Sequence, residues 1–271
     1  MVPPMRMRGG IYRILRVLLI AAVAWLAFHW LEPEGLGWVV LAAAAAVMVG
    51  WIGLRALRIR RARARDDQAD AWALALMHPP ERPAAIRELT DERSATKDPA
   101  ERARLTLVLA ELLEANGDPR AALEALGELS DAELPPRLAA MVRHARAVAL
   151  LSDGDPSAAQ AALDSDPRSS GDPAIELRIR LMQGLIAAES GRGAEALAIA
   201  RRSRDEALDD PDLTTEARVL EAVALRALGR TKHAIRVMLR LDDEMLDVLV
   251  LLGLPGVRAL AADAIEARDA G

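Results

Sequence analysis

PAERARLTLVLAELLEANGDPRAA, residues 99–122, is the stretch that decides how this chain folds. It opens on Pro99, runs apolar and helix-forming to Ala115, halts at Gly117 and restarts behind Asp118-Pro119. The same punctuation returns three more times. Gly117, Gly154, Gly191 and Gly229 are separated by 37, 37 and 38 residues, and so are Pro99, Pro136, Pro173 and Pro211. Each proline leads its glycine by 18 residues, room for about five helical turns, and about a dozen helix-forming residues follow each glycine. Two residue types in one register over four copies predict a helix–turn–helix repeat. Its repetition over residues 91–241 predicts an all-α fold of the α-solenoid kind.

The punctuation has a mechanism. Asp98-Pro99, Asp118-Pro119, Asp155-Pro156, Asp172-Pro173 and Asp210-Pro211 each set a capping oxygen beside a proline preset for the first helical position. Asp98 and Glu101 have capping-box spacing. The glycines supply the left-handed conformation that ends the preceding helix. Small residues keep the same register: Ala110, Ala147, Gly184 and Ala222 lie seven before each glycine, and Ala122, Ala159, Ala196 and Ala234 five after it. Small side chains on both helices of a hairpin let the two axes approach closely.

This spacing resembles the tetratricopeptide repeat over roughly residues 99–241. Leu109-Ala110-Glu111-Leu112-Leu113 before Gly117, and Ala222-Val223-Ala224-Leu225 before Leu228-Gly229-Arg230 and Ala234-Ile235, look like that motif. The chain departs from it in a period above 34, in lacking the large aromatics, and in the polar Arg146, Gln183 and Glu221 before the small residue. A generic α-solenoid is the alternative. Around the repeats, residues 66–90 fit a degenerate first hairpin about His78-Pro79-Pro80, with Ala84 in the register of the later alanines. Residues 242–271 break the pattern as capping helices do, 242–252 and 255–269. The last places Val257, Leu260, Ala261, Ala264 and Ile265 on one side, for packing on the fourth repeat rather than docking into a groove.

The front of the chain is made differently. Six of the seven aromatics lie in the first 51 residues, and residues 1–65 carry a net charge of +8 against −13 for the rest. Residues 11–31 and 36–54 are apolar stretches of bilayer-spanning length, joined by Glu32-Pro33-Glu34-Gly35. Arginines flank both outer ends and none lies in the connecting loop, which predicts a two-span hairpin with both termini cytoplasmic. A cleaved signal peptide is the competing reading, but the second stretch would still anchor the chain. Ala42, Ala46, Gly50 and Gly53 form a small-residue helix-packing face. The run from Arg55 to Arg65 sets topology and meets anionic headgroups. An excess of Arg over Lys hints at a GC-rich, bacterial source, hence the inner membrane. Two N-terminal spans before helical repeats resemble, in outline, the HemY-type membrane proteins.

Composition and motifs argue against several functions. There is no cysteine, so disulfides, thiolate metal sites and Cys nucleophiles are excluded. His29, His78, His144 and His233 are scattered, without metal-ligand spacing. Gly191-Arg192-Gly193 imitates a phosphate loop but follows no strand. The acidic, aromatic-poor repeat region is unsuited to nucleic acid. The expectation is no enzyme and no catalytic, cofactor or metal residue.

The resemblance implies a face built by the first helix of each repeat: Arg104, Leu107, Glu111, His144, Val148, Arg178, Leu181, Leu185, Val219, Val223 and Arg226. Its mixture of apolar side chains and scattered Arg would take an apolar or amphipathic protein segment, with interior packing of some of these residues as the equal alternative. The whole reads as a membrane-anchored scaffold or adaptor. The alternative is an accessory or assembly subunit of a membrane enzyme or transport complex that binds through its hairpin.

Overall fold

The computed structural model describes residues 71–269, save residues 73, 167, 208 and 209. The chain divides into two compact units after residue 69, and the described residues belong to the second. The two apolar stretches, the face of Ala42, Ala46, Gly50 and Gly53, and the run Arg55–Arg65 lie outside the described residues. No helix among the described residues is long and apolar enough to cross a membrane.

Every regular element described is helical, so the unit is all-α. Helix α1 (Arg82–Ala95) follows a 3-10 turn, Pro79–Glu81. Four hairpins succeed it. They are α2 (Pro99–Ala115) with α3 (Pro119–Gly127), α4 (Pro136–Ser152) with α5 (Pro156–Asp164), α6 (Pro173–Glu189) with α7 (Gly193–Glu206), and α8 (Pro211–Ala227) with α9 (Thr231–Met238). Helices α10 (Asp243–Leu252) and α11 (Pro255–Asp269) close the chain. Each hairpin packs on the next, α2 on α4, α4 on α6 and α6 on α8, which is repeat-like stacking of adjacent helices.

The four first helices are all 17 residues long and all begin at the periodic proline. Six helices begin behind an aspartate whose side chain accepts backbone N–H: Asp98 from Ala100, Asp118 from Ala121, Asp155 from Ala158, Asp172 from Ala174, Asp210 from Asp212 and Leu213, and Asp242 from Met245. Such caps satisfy donors that no helical carbonyl can reach. Among the hairpin helices α4, α7 and α9 lack one, starting behind Pro135, Arg192 and Arg230.

The hairpin turns are copies of one another. Gly117, Gly154, Gly191 and Gly229 have φ of 84°, 88°, 77° and 73°, the left-handed region where a side chain is disfavoured. The residue after each glycine donates back to the last turn of the helix: Asp118 to Leu113 O at 2.9 Å, Asp155 to Leu150 O at 2.9 Å, Arg192 to Ala187 O at 2.8 Å, Arg230 to Leu225 O at 2.9 Å. This is the Schellman closure, four times over. The small residues stand where the helices meet. Ala110, Ala147 and Ala222, with Ala122, Ala159, Ala196 and Ala234, are wholly buried. A Cβ on Gly184 would collide with Leu220 of α8. Gly193 begins α7 against α8, where a Cβ would meet Leu228 Cγ at 3.0 Å and Ala224 O at 3.1 Å. The phosphate-loop look of residues 191–193 is thus one turn glycine and one packing glycine.

The connections between hairpins are held by side chains instead. Arg146 of α4 donates to Asp131 Oδ1 at 2.8 Å, Leu126 O at 2.9 Å and Leu129 O at 2.7 Å, closing the end of α3. Arg143, almost fully buried, pairs with Asp166 Oδ2 at 3.0 Å and donates to Arg168 O at 3.3 Å. Arg168 reaches Asp131 O at 2.8 Å, joining two successive connections. Buried Arg82 donates to Leu76 O from Nε at 3.1 Å and from Nη2 at 2.6 Å, and from Nη1 to Ala115 O at the end of α2.

One register expectation fails at the front. Ala84 is exposed and Ala85 is the buried residue, because the 3-10 turn before α1 winds three residues per turn and rotates the helix from the later hairpins' phase. At the far end α11 buries Val257, Leu260, Ala261 and Ala264 and packs on α9 and α8, the fourth hairpin, as its amphipathic pattern predicts.

Candidate functional site

The eleven residues expected on the first-helix face divide into two groups. Leu107, Leu181, Val219 and Val223 are buried, in the packed interior between neighbouring helices. Arg104, Glu111, Arg178 and Arg226 are exposed, and His144, Val148 and Leu185 are half-buried. A 17-residue first helix in a stack touches its own second helix and a first helix on either side, so its apolar stripe is wider than one groove wall.

The outward group is electrically joined across the hairpins. Arg178 of α6 donates from Nε to Glu216 Oε1 of α8 at 3.2 Å. Its charge also acts on Glu111 of α2 and His144 of α4. One guanidinium therefore couples side chains from all four first helices. Glu111 keeps its contact with solvent, yet the protein around it displaces enough water to raise its carboxyl pKa, with Arg178 opposing. Solvent access together with lost hydration is the condition of a side chain in a cleft. Glu114, one turn on, is pushed up to about 8, first by loss of water and then by the Glu111 charge, while the Ser152 hydroxyl opposes. His144 is pushed down to about 4 by loss of water and by Arg178. Near neutral pH His144 is uncharged and Glu114 holds a proton in most molecules. Glu216 is raised by loss of water too, with Arg178 as its counter-charge.

Glu114, Ser152 and Glu216 belong to this face and were not expected there. The signal for Glu114 was in the sequence, since Glu111 and Glu114 are three apart on one helix and so lie on one side. No pattern marked Ser152 or Glu216, whose partners are 38 residues away in each case.

The same face receives the end of the chain. Arg226 Nη1 lies 3.4 Å from Gly256 O, and a Cβ on Gly256 would meet Glu189 Oε1 at 2.6 Å. Leu254 packs against the cluster of Ala147, Leu151, Met182 and Ile186, with Val148 and Leu185 beside it. Helix α10 touches α2.

A shallow cavity of about 260 Å³ lies where α6, α7 and α8 meet, with Glu206 and Asp210 in its wall. Glu206 already pairs with Arg180, and Asp210 caps α8. Among the described residues no three His, Cys, Asp or Glu side chains gather as a metal site. The chemistry the face supports is recognition: apolar contact from Val148 and Leu185, charge from Arg104, Arg178, Arg226 and Glu111. Neither a family model, nor a curated protein, nor a solved structure matches the chain.

Proposed function

We propose that the chain is a membrane-anchored helical-repeat scaffold, of tetratricopeptide-like construction, that holds protein partners at the cytoplasmic face of a bacterial inner membrane. Residues 11–54 are its two spans, and Arg55–Arg65 faces anionic headgroups. The groove of the first helices receives an apolar or amphipathic partner segment. Anchoring raises the local concentration of that partner near the bilayer, with no chemistry of its own.

The observation that carries this reading is Arg178, whose charge reaches Glu111, His144 and Glu216 on the three other first helices. A face shared by four repeats, apolar in part and studded with charge, is the surface helical repeats use for extended partners. The buried small residues seven before and five after each turn glycine support the tetratricopeptide likeness.

A comparative pull-down tests it, with the full chain, a chain whose residues 1–65 are exchanged for an unrelated anchor, and Arg178→Glu in the full chain. Partners kept after the anchor exchange and lost with Arg178→Glu are the expected result. Partners lost on anchor exchange alone would make the hairpin the interface and the chain an accessory subunit. Reporter fusions should place residue 33 outside and residue 271 inside; an external C-terminus would overturn the location.

A further inference from the structure

The most apolar described helix is the most poorly buried. Helix α10 has Met245, Leu246, Val248, Leu249, Val250 and Leu251 with only Asp247 between them. Of these six only Leu246 is wholly buried; the rest are half-buried. A helix so rich in apolar residues belongs against another apolar surface, apart from the edge marked by exposed Asp243, Glu244 and Asp247. One side of α10 is satisfied. Met245, Leu246, Leu249 and Val250 join the cluster that α11 shares with α8 and α9, and Arg268 of α11 pairs with Asp243. Val248 and Leu251 belong to no core cluster.

The rest of the tail follows the face described above. Beyond α10 the chain breaks at Gly253, where a Cβ would collide with Leu249 O, and Leu254 then enters the cluster between α4 and α6. Gly256 meets Arg226 of α8 and lies close to Glu189 of α6. The charge of Arg258 is felt by Arg82, whose Nη1 closes α2. The segment from α10 to residue 256 therefore meets α2 through α10, the cluster shared by α4, α5 and α6 through Leu254, and α8 through Gly256.

We infer that α10 and the turn after it are a built-in occupant of the first-helix groove, which a partner's apolar helix must displace from α2 in order to bind. This rests on the reading of that face as a partner groove. It adds the chemistry of the partner, because the groove's own tenant is an apolar helix with acidic residues in its first turn, Asp243 and Glu244. It also adds a resting state in which the groove is closed. The closure is weakly held. α10 meets α2 over a much smaller contact than it makes with α11, and most of its apolar side chains keep some exposure to water.

The chain has no cysteine, so introduced pairs carry spin labels without background. In the full chain, Arg102→Cys with Asp247→Cys reports the α2–α10 distance from two exposed positions, and Arg102→Cys with Met141→Cys reports α2–α4 as a control. The probe is a synthetic peptide of residues 242–254 with a polar tag. Excess peptide should add a second, longer α2–α10 distance while the α2–α4 distance stays. Val248→Asp with Leu251→Asp in the chain should do the same without peptide. An α2–α10 distance unmoved by both treatments overturns the proposal, as does joint lengthening of both pairs, which would mean the repeats come apart. A dipolar signal between singly labelled chains would make α10 an exchange element between copies and overturn it too. The measurement needs no partner, so α10 can fail to move while the pull-down still succeeds, and the reverse.

Discussion

The turns inside the hairpins and the connections between them solve one problem in two ways. Inside, the backbone does the work. A left-handed glycine and a donation back to the last helical turn are repeated at residues 117, 154, 191 and 229 with φ within 73–88°. Between hairpins no two connections are alike. Arg146 gathers Leu126 O, Leu129 O and Asp131, Arg143 holds Asp166 and Arg168 O, and the link before α8 has Thr214 Oγ1 donating to Ala207 O at 2.8 Å. A backbone solution tolerates any neighbour and can be copied; a side-chain solution must be fitted to its site. The array is uniform within its units and individual at its joints.

Four measurements can break or sharpen that contrast. Arg146→Ala removes two carbonyl partners and one carboxylate partner from a largely buried guanidinium. Hydrogen bonds to charged groups contribute about 1.5–3 kcal/mol each, and water reaching this partly exposed site offsets part of the three, so a loss of roughly 3 kcal/mol is expected in urea unfolding followed by circular dichroism. A neutral result would mean the connection holds without its arginine. Ala159→Trp, in the helix-to-helix contact of the second hairpin, should overpack it and cost roughly 1–3 kcal/mol by the same measurement. Gly154→Ala forces a side chain into the left-handed region, with nothing nearby for the Cβ to strike, and should cost about 1–2 kcal/mol. If Gly154→Ala were the costliest of the three, the contrast would be reversed.

The fourth measurement is the pH dependence of stability. Glu114 rises from 4.5 to about 8 on folding, so the folded state holds a proton that the unfolded chain releases, and stability falls as pH rises through that window. His144 falls from 6.5 to about 4, so the unfolded chain takes up a proton that the folded state refuses, and stability rises with pH up to 6.5. The two oppose each other between 4.5 and 6.5, and above 6.5 the Glu114 decline is left alone. Glu114→Gln should flatten the stability of the protein between pH 6.5 and 8. A decline unchanged in that variant would assign it to another group.

What was legible in the sequence follows the same division. Gly117, Pro99 and Asp98 announce themselves because one residue type meets one backbone need, and the need recurs at a fixed spacing. Arg82, Arg143 and Arg146 announce nothing, since each acts through a long side chain on carbonyls of another element and at no common register. Arg146 registered only as a departure from the repeat pattern, although the departure is its function. On the candidate face, the register implied by the tetratricopeptide resemblance proposed Glu111, His144 and Arg178, which the structure leaves in contact with solvent. It could not separate Leu107 and Val219 from them, because a first helix with three neighbours buries more than one stripe. The meeting of α10 with α2 joins the end of the chain to its first hairpin, and no local pattern encodes a closure of that span.

Gly184 gives the third hairpin a closeness to the fourth that a methyl would forbid. Where Ala110, Ala147 and Ala222 each hold a methyl between helices, the third hairpin has none, and Leu220 of the fourth fills the gap. In a stack of repeats the angles at successive joints add along the axis, as the treads of a stair do. One missing carbon atom in the third tread sets how near the fourth hairpin stands, and Gly184→Ala would have to push Leu220 aside to keep that step.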